Sequence, residues 1–201
     1  MKKLPASLCL AIAAVICVSG QTTDEYNKNE VFVGYSNQQV DRGNYANFNG
    51  VESSYVRNVS RYFGVKGDIS ATYRNDDFED RLQGSNGTAI TVRTESKESL
   101  YNFLGGVQVK DNASKKRFKP FGHALAGVAH YRVKFKNSFN NAPSIDINST
   151  STGFAAAIGG GLDIKINNRF DFRAIQADYN PVRVNGYWGN NFRFGIGLVI
   201  K

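Results

Sequence analysis

The sequence predicts an all-β protein: eight antiparallel strands closed into an up-and-down transmembrane β-barrel that follows an N-terminal signal peptide. Three observations carry this. Long stretches alternate with period two, bounded by Gly, Asn, Asp and Ser clusters. In the alternation, bulky apolar residues share one face, while Gly, Ala and charged residues share the other. The connectors alternate in length along the chain, which separates short turns from long polar loops.

The first element is the leader. Lys2 and Lys3 precede the mostly apolar run Leu4 to Val18, and small residues Val18-Ser19-Gly20 stand before Gln21. This reads as a secretory signal over 1–20, because the run is shorter than the roughly 20 residues a spanning helix needs. A lipoprotein signal at Cys17 is disfavoured by the bulk of Ile16. Both cysteines, Cys9 and Cys17, fall in this leader, so the remaining chain has no disulfide framework and no thiol chemistry. Losing Lys2 and Lys3 lowers the formal charge of +8 by two. Apart from Lys115-Lys116-Arg117 the basic excess is scattered, which argues against a nucleic-acid partner. Residues 21–201 have the length of a single domain.

The strands are expected near 29–37, 48–58, 63–74, 97–110, 118–135, 151–166, 170–180 and 190–201. Several reach the 9 to 11 residues that a tilted strand needs to cross a bilayer. Connectors after the second, fourth and sixth strands are short: Val59 to Tyr62, Asp111 to Arg117, and Asn167 to Arg169. The others are mostly longer and polar, the longest being Asn75 to Ser96. An even strand number then puts both termini at the short-turn end, in the periplasm.

Each strand assigns its faces. The third turns Phe63, Val65, Ile69 and Tyr73 outward and Lys66, Asp68, Ser70 and Thr72 inward. The fourth turns Tyr101, Phe103, Val107 and Val109 outward and Asn102, Gly106 and Gln108 inward. In the fifth, the same rule of apolar side to lipid puts Phe121, Leu125, Tyr131, Val133 and Phe135 outward. Gly122, Ala124, Ala126, His130 and Arg132 are then inward. The sixth has Phe154, Ile158, Leu162 and Ile164 outward against Gly153, Ala155, Gly159, Gly161 and Asp163. The last, Asn190 to Lys201, carries Phe192, Phe194, Ile196, Leu198 and Ile200 on one side and Arg193, Gly195, Gly197 and Val199 on the other. Glycine is a poor choice for a solvated strand face, whereas a narrow barrel interior demands small residues.

The seventh strand supports two registers. Asn185-Gly186 is a two-residue hairpin signal. It pairs Val184 with Tyr187 and sets Asp178 opposite Arg193, both inward. Pairing across Asn167 to Arg169 instead opposes Lys165 to Asp171 and Asp163 to Arg173, which turns Arg173 inward. The two differ by one residue, and a bulge between Arg173 and Gln176 satisfies both. Unpaired charge inside a barrel is costly, so the inward charges should pair. The expected interior network is Glu52, Lys66, Asp68, Arg132, Asp178 and Arg193, in a structural role.

Several segments are similar to one known group: Phe63 to Asp68, Lys119 to Ala124, Gly159 to Asp163, Arg173 to Tyr179 and the closing strand. On these the chain resembles the outer-membrane β-barrel family, the OmpA-like and opacity-type eight-stranded porin group, over nearly all of 21–201. The resemblance implies a cell-envelope protein of a Gram-negative bacterium that the barrel-assembly machinery inserts. It is specific for architecture and weak for function. No peptidoglycan-binding domain, which some members carry, is expected after the eighth strand.

The residues offer little chemistry. His123 and His130 are seven apart with no nearby Ser and carboxylate at the right height, so no catalytic site is expected. Asp76 to Asp80 lacks the spacing of a Ca²⁺ loop. Gly159-Gly160-Gly161 leads to no helix and is not a phosphate loop. The sequons at Asn58, Asn86, Asn112 and Asn148 carry little weight. No metal or cofactor is expected. Tyr45, Phe78 and Phe139 are loop aromatics open to an outside ligand. The expected role is structural or surface interaction, with a plugged interior and with outer-membrane lipid, lipopolysaccharide and an extracellular ligand as partners. The alternatives are a small low-conductance porin and a soluble lipocalin-like barrel, which would need the reverse facing.

Overall fold

The computed structural model describes residues 26–41, 43, 45–83, 89–139, 145–184 and 186–201. The leader and the sequon at Asn86 lie outside them. Eight strands run in chain order: β1 (Asn29–Asp41), β2 (Tyr45–Asn58), β3 (Phe63–Gln83), β4 (Ala89–Lys110), β5 (Phe118–Phe139), β6 (Ile145–Lys165), β7 (Phe170–Val184) and β8 (Tyr187–Ile200). Each pairs antiparallel with the next, and β1 pairs with β8 to close the barrel. Closure leaves the membrane-level backbone without an open edge, as a bilayer requires.

At the turn end the strand limits fall within a residue of those expected. Side-chain oxygens fix these turns. Ser60 Oγ accepts from the amides of Tyr62 and Phe63 at 3.3 and 3.1 Å, and Asn167 Oδ1 accepts from Arg169 and Phe170 at 2.8 Å. Arg61 reaches across to Asp111 at 3.1 Å. Its hydrogen bond holds the Asp111 carboxyl below the usual carboxylate range.

At the other end the strands are longer than the alternation indicates. Asn75 to Ser96 is not a long loop. Asn75 through Gln83 pairs with Lys97 back to Ala89 in an unbroken ladder, and Phe78, expected in a loop, is an exposed strand residue. Tyr45 likewise opens β2. The reason is local. The residues of this ribbon are mostly polar, so the hydrophobic period fades while the ladder continues. Opposite charges face each other within it, as at Glu79 and Arg93.

The β7 region combines both registers. Val184 pairs with Tyr187 and Asp178 with Arg193. Lys165 pairs with Asp171 and Asp163 with Arg173. The shift is absorbed between Arg173 and Gln176. Gly186 has φ 86°, as the tight turn requires.

The outer surface is apolar around the barrel: Val33, Val51, Ile69, Val107, Ile158, Ile175 and Ile196 are all exposed. A soluble protein does not expose so continuous a belt. Aromatics ring its upper rim. Tyr73 packs on Tyr101 at 5.9 Å and Tyr101 on His130 at 6.4 Å. Across the barrel Tyr179, Phe192 and Tyr45 form a second chain at 5.8 and 6.0 Å. Such girdles sit at the lipid–water interface.

Strand β5 is inverted relative to the sequence reading. Phe121, Leu125 and Val133 are buried inside, and Ala124, Ala126 and Arg132 face out. The physical reason is an apolar plug near the upper end of the barrel. Leu125 and Ala129 pack there with Phe48, Leu100, Leu104 and Val182. The rule that apolar side chains go to lipid fails wherever the interior is itself apolar.

Candidate functional site

Among the described residues, buried side chains occupy the interior at successive levels of the barrel. At the turn end Lys110 Nζ bridges Glu30 at 2.6 Å and Asp163 at 3.0 Å. Asp171 takes Lys119 at 3.3 Å and Lys201 at 2.6 Å. Above them the Arg173 guanidinium lies between the rings of Phe32 and Phe121, at 4.3 and 4.0 Å from their centroids. It donates to Asp163 at 2.8 Å and to Gln176 at 2.7 Å. A lysine cannot reproduce this planar fork and stack. Arg173→Lys should therefore lower stability by about 1–2 kcal/mol, measured as a fall in the urea midpoint of the barrel refolded in vesicles.

The centre holds five of the six residues expected in the network. Arg193 donates to Asp178 at 2.8 Å and to Asp68 at 2.7 Å, and lies 3.7 Å from Glu52. Lys66 sits 3.3 Å from Asp68. Gln176, which the sequence reading left out, donates to Glu52 at 2.7 Å and to Asp178 at 2.9 Å. His123 was also missed. It points inward, with Nε2 2.9 Å from Asp178 Oδ1 and Nδ1 3.3 Å from Lys66 Nζ. The sixth residue, Arg132, is a correction: it is exposed on the outer face, opposite Ser99 and Thr150. The same inversion of β5 puts His130 outside, 2.8 Å from Thr152.

Next comes a neutral polar layer. Gln38 donates to Asn180 at 2.6 Å and accepts from Asn102 at 3.2 Å. The apolar plug covers that layer, with Tyr131 and Val184 packed against it. Eight strands leave only enough room for side chains. Here ion pairs, amides and then apolar groups occupy that room.

The second candidate region lies outside the barrel proper. Pairing of β2 with β3 stops at Asn49 and Tyr73, and pairing of β6 with β7 stops at Phe154 and Arg183. β3 to β6 continue beyond these points as a raised four-stranded sheet. Its flanks, 74–83 and 145–153, each pair on one side only. The β3 flank carries Asp76, Asp77, Glu79 and Asp80, and charge of this kind discourages edge-to-edge association.

Comparison with solved structures gives the same architecture. The fold matches the attachment invasion locus protein Ail of Yersinia pestis, with TM-score 0.56, 18% identity, 86% of this chain and 97% of that chain covered. It matches a second Ail structure, in complex with the heparin analogue sucrose octasulfate, with TM-score 0.53, 18% identity and the same coverage. Neisserial surface protein A aligns at TM-score 0.49 and 12% identity, over 87% of this chain and 97% of that chain. No curated protein sequence matches the chain. Residues 8–199 match the family described as outer membrane protein beta-barrel domain. With its apolar exterior, aromatic girdle and closed eight-stranded barrel, the chain belongs to that family of transmembrane proteins of the bacterial outer membrane.

Proposed function

We propose that the chain is a surface-display barrel with no reaction of its own: a plugged membrane anchor that holds the raised sheet outside the cell. The observation that carries this is the continuation of β3 to β6 beyond the girdle, past the points where β2 and β7 let them go. In this reading the leader 1–20 is removed, the barrel-assembly machinery inserts the chain, and the turn end with both termini faces the periplasm. The raised sheet meets lipopolysaccharide and extracellular ligands.

Single cysteines test the orientation. In intact Gram-negative cells, Glu95→Cys on the raised sheet should react with a membrane-impermeant maleimide. Ser114→Cys in the turn after β4 should react only after permeabilisation. The reverse pattern would overturn the orientation, and protection of both would overturn surface display.

The porin alternative makes a different prediction. The plug of Phe48, Leu100, Leu104 and Leu125 and the ion pairs beneath it argue against an aqueous path through the described residues. Planar bilayers holding the purified barrel should show no discrete conductance steps. Regular steps under non-denaturing conditions would favour the small pore.

A further inference from the structure

The outward face of the raised sheet is ordered in rows by the ladder register. The girdle row contains Tyr101 and His130, directly opposite each other. One step farther from the membrane, Arg132 stands between Ser99 and Thr150. One step beyond that, Lys97 is directly opposite Lys134, with Asn75 and Asn148 on their far sides. The next row changes sign: Lys136 stands between Glu95 and Asp146, with Asp77 on the far side of Glu95. Going outward, the face therefore reads aromatic, basic, acidic.

The basic rows need an explanation. Directly opposed residues on neighbouring strands have Cβ atoms about 5 Å apart, and like charges there are destabilising. Lys97, Arg132 and Lys134 are all exposed. Among the described residues no carboxylate lies within ion-pair distance of any of them, although Arg93 with Glu95 and Arg74 with Asp76 show that such pairs form nearby. Three cations on adjacent ladder positions of one face, with hydroxyl and amide groups beside them, make a site for an oxyanion and its sugar. Their position fixes the source, because a lipid headgroup phosphate sits just beyond an aromatic girdle.

We propose that Lys97, Arg132 and Lys134 bind a phosphate of an outer-leaflet phosphoglycolipid of the lipid A type, with Ser99, Thr150 and Asn148 placed for its sugar hydroxyls. This rests on the outward orientation of the raised sheet proposed above. The bound phosphate neutralises the Lys97–Lys134 repulsion, and the acidic row above limits how far the site extends.

The test is native mass spectrometry of the full refolded barrel in detergent, with diphosphoryl lipid A as probe. The wild type should retain one lipid A. The triple variant K97Q/R132Q/K134Q should lose affinity by roughly tenfold or more, while K136Q, one row farther out and directly opposite Glu95 and Asp146, should bind like wild type. The gel shift on boiling verifies that each variant is folded. Equal retention by the triple variant, or an equal loss in K136Q, would overturn the site. Binding of sucrose octasulfate with no retention of lipid A would overturn it too, in favour of a soluble polyanion. Detergent binding does not depend on orientation, so failure here is separable from failure of the cysteine labelling.

Discussion

Arg193→Met should destabilise the barrel by about 3–5 kcal/mol, because it removes the arginine bonded to both Asp68 and Asp178 and leaves Lys66, His123 and Gln176 to compensate the buried carboxylates. Arg193 is fully buried and is bonded to both Asp68 and Asp178, with Glu52 close by. Removing it leaves this group with Lys66 alone among nearby lysines and arginines. The measurement is urea unfolding in vesicles, followed by the single tryptophan, Trp188. The combination Arg193→Met with Asp68→Asn and Asp178→Asn should recover part of the loss, because it removes the uncompensated charge along with its partner. A loss below about 1 kcal/mol in the single variant would mean that water screens these groups as it does on a surface.

The second large effect concerns the seam where the barrel closes. Gly197 of β8 is directly opposite Gly34 of β1. A Cβ on Gly197 would lie 2.3 Å from the Val33 carbonyl oxygen and 2.5 Å from the Gly34 Cα. These are backbone atoms of the closing ladder and cannot swing aside. The Phe32 ring, 2.9 Å away, is held in place by Arg173. Overpacking ordinarily costs about 1–3 kcal/mol, and here strand separation must be added. Gly197→Leu should therefore lower the temperature at which the folded gel band is lost, or abolish that band. Gly67→Ala is the matched control: its Cβ would meet nothing within 4 Å, so the band should be unchanged.

Much of this architecture is readable from residue order, and the exceptions have physical causes. The third, fourth, sixth and eighth strands reveal their facing because lipid and interior make opposite demands at each step. Phe63, Val65 and Ile69 against Lys66, Asp68 and Ser70 leave no ambiguity. The β7 bulge is legible as a conflict between two registers, each supported by complementary charges. Strand 5 misleads because its Phe121 and Leu125 satisfy the Arg173 stack and the interior plug rather than lipid. That error carried Arg132 inward and His130 with it, and hid His123. A signal was present in Ala124 and Ala126, which are small enough to suit either face. The raised sheet was missed for a different reason. Beyond the girdle Asn75 to Gln83 is mostly polar and carries little apolar alternation, although its ladder is intact.

The central claim is a closed barrel with lipid outside and a bonded polar interior. Its most direct test is to express the full chain in a Gram-negative host, separate inner and outer membranes, and compare the band on an SDS gel with and without boiling. The account predicts outer-membrane recovery and a band that changes mobility on boiling, because the ladder and its interior ion pairs resist detergent until heated. A soluble periplasmic product with the same mobility in both lanes would contradict it, and would mean that the apolar belt faces something other than lipid.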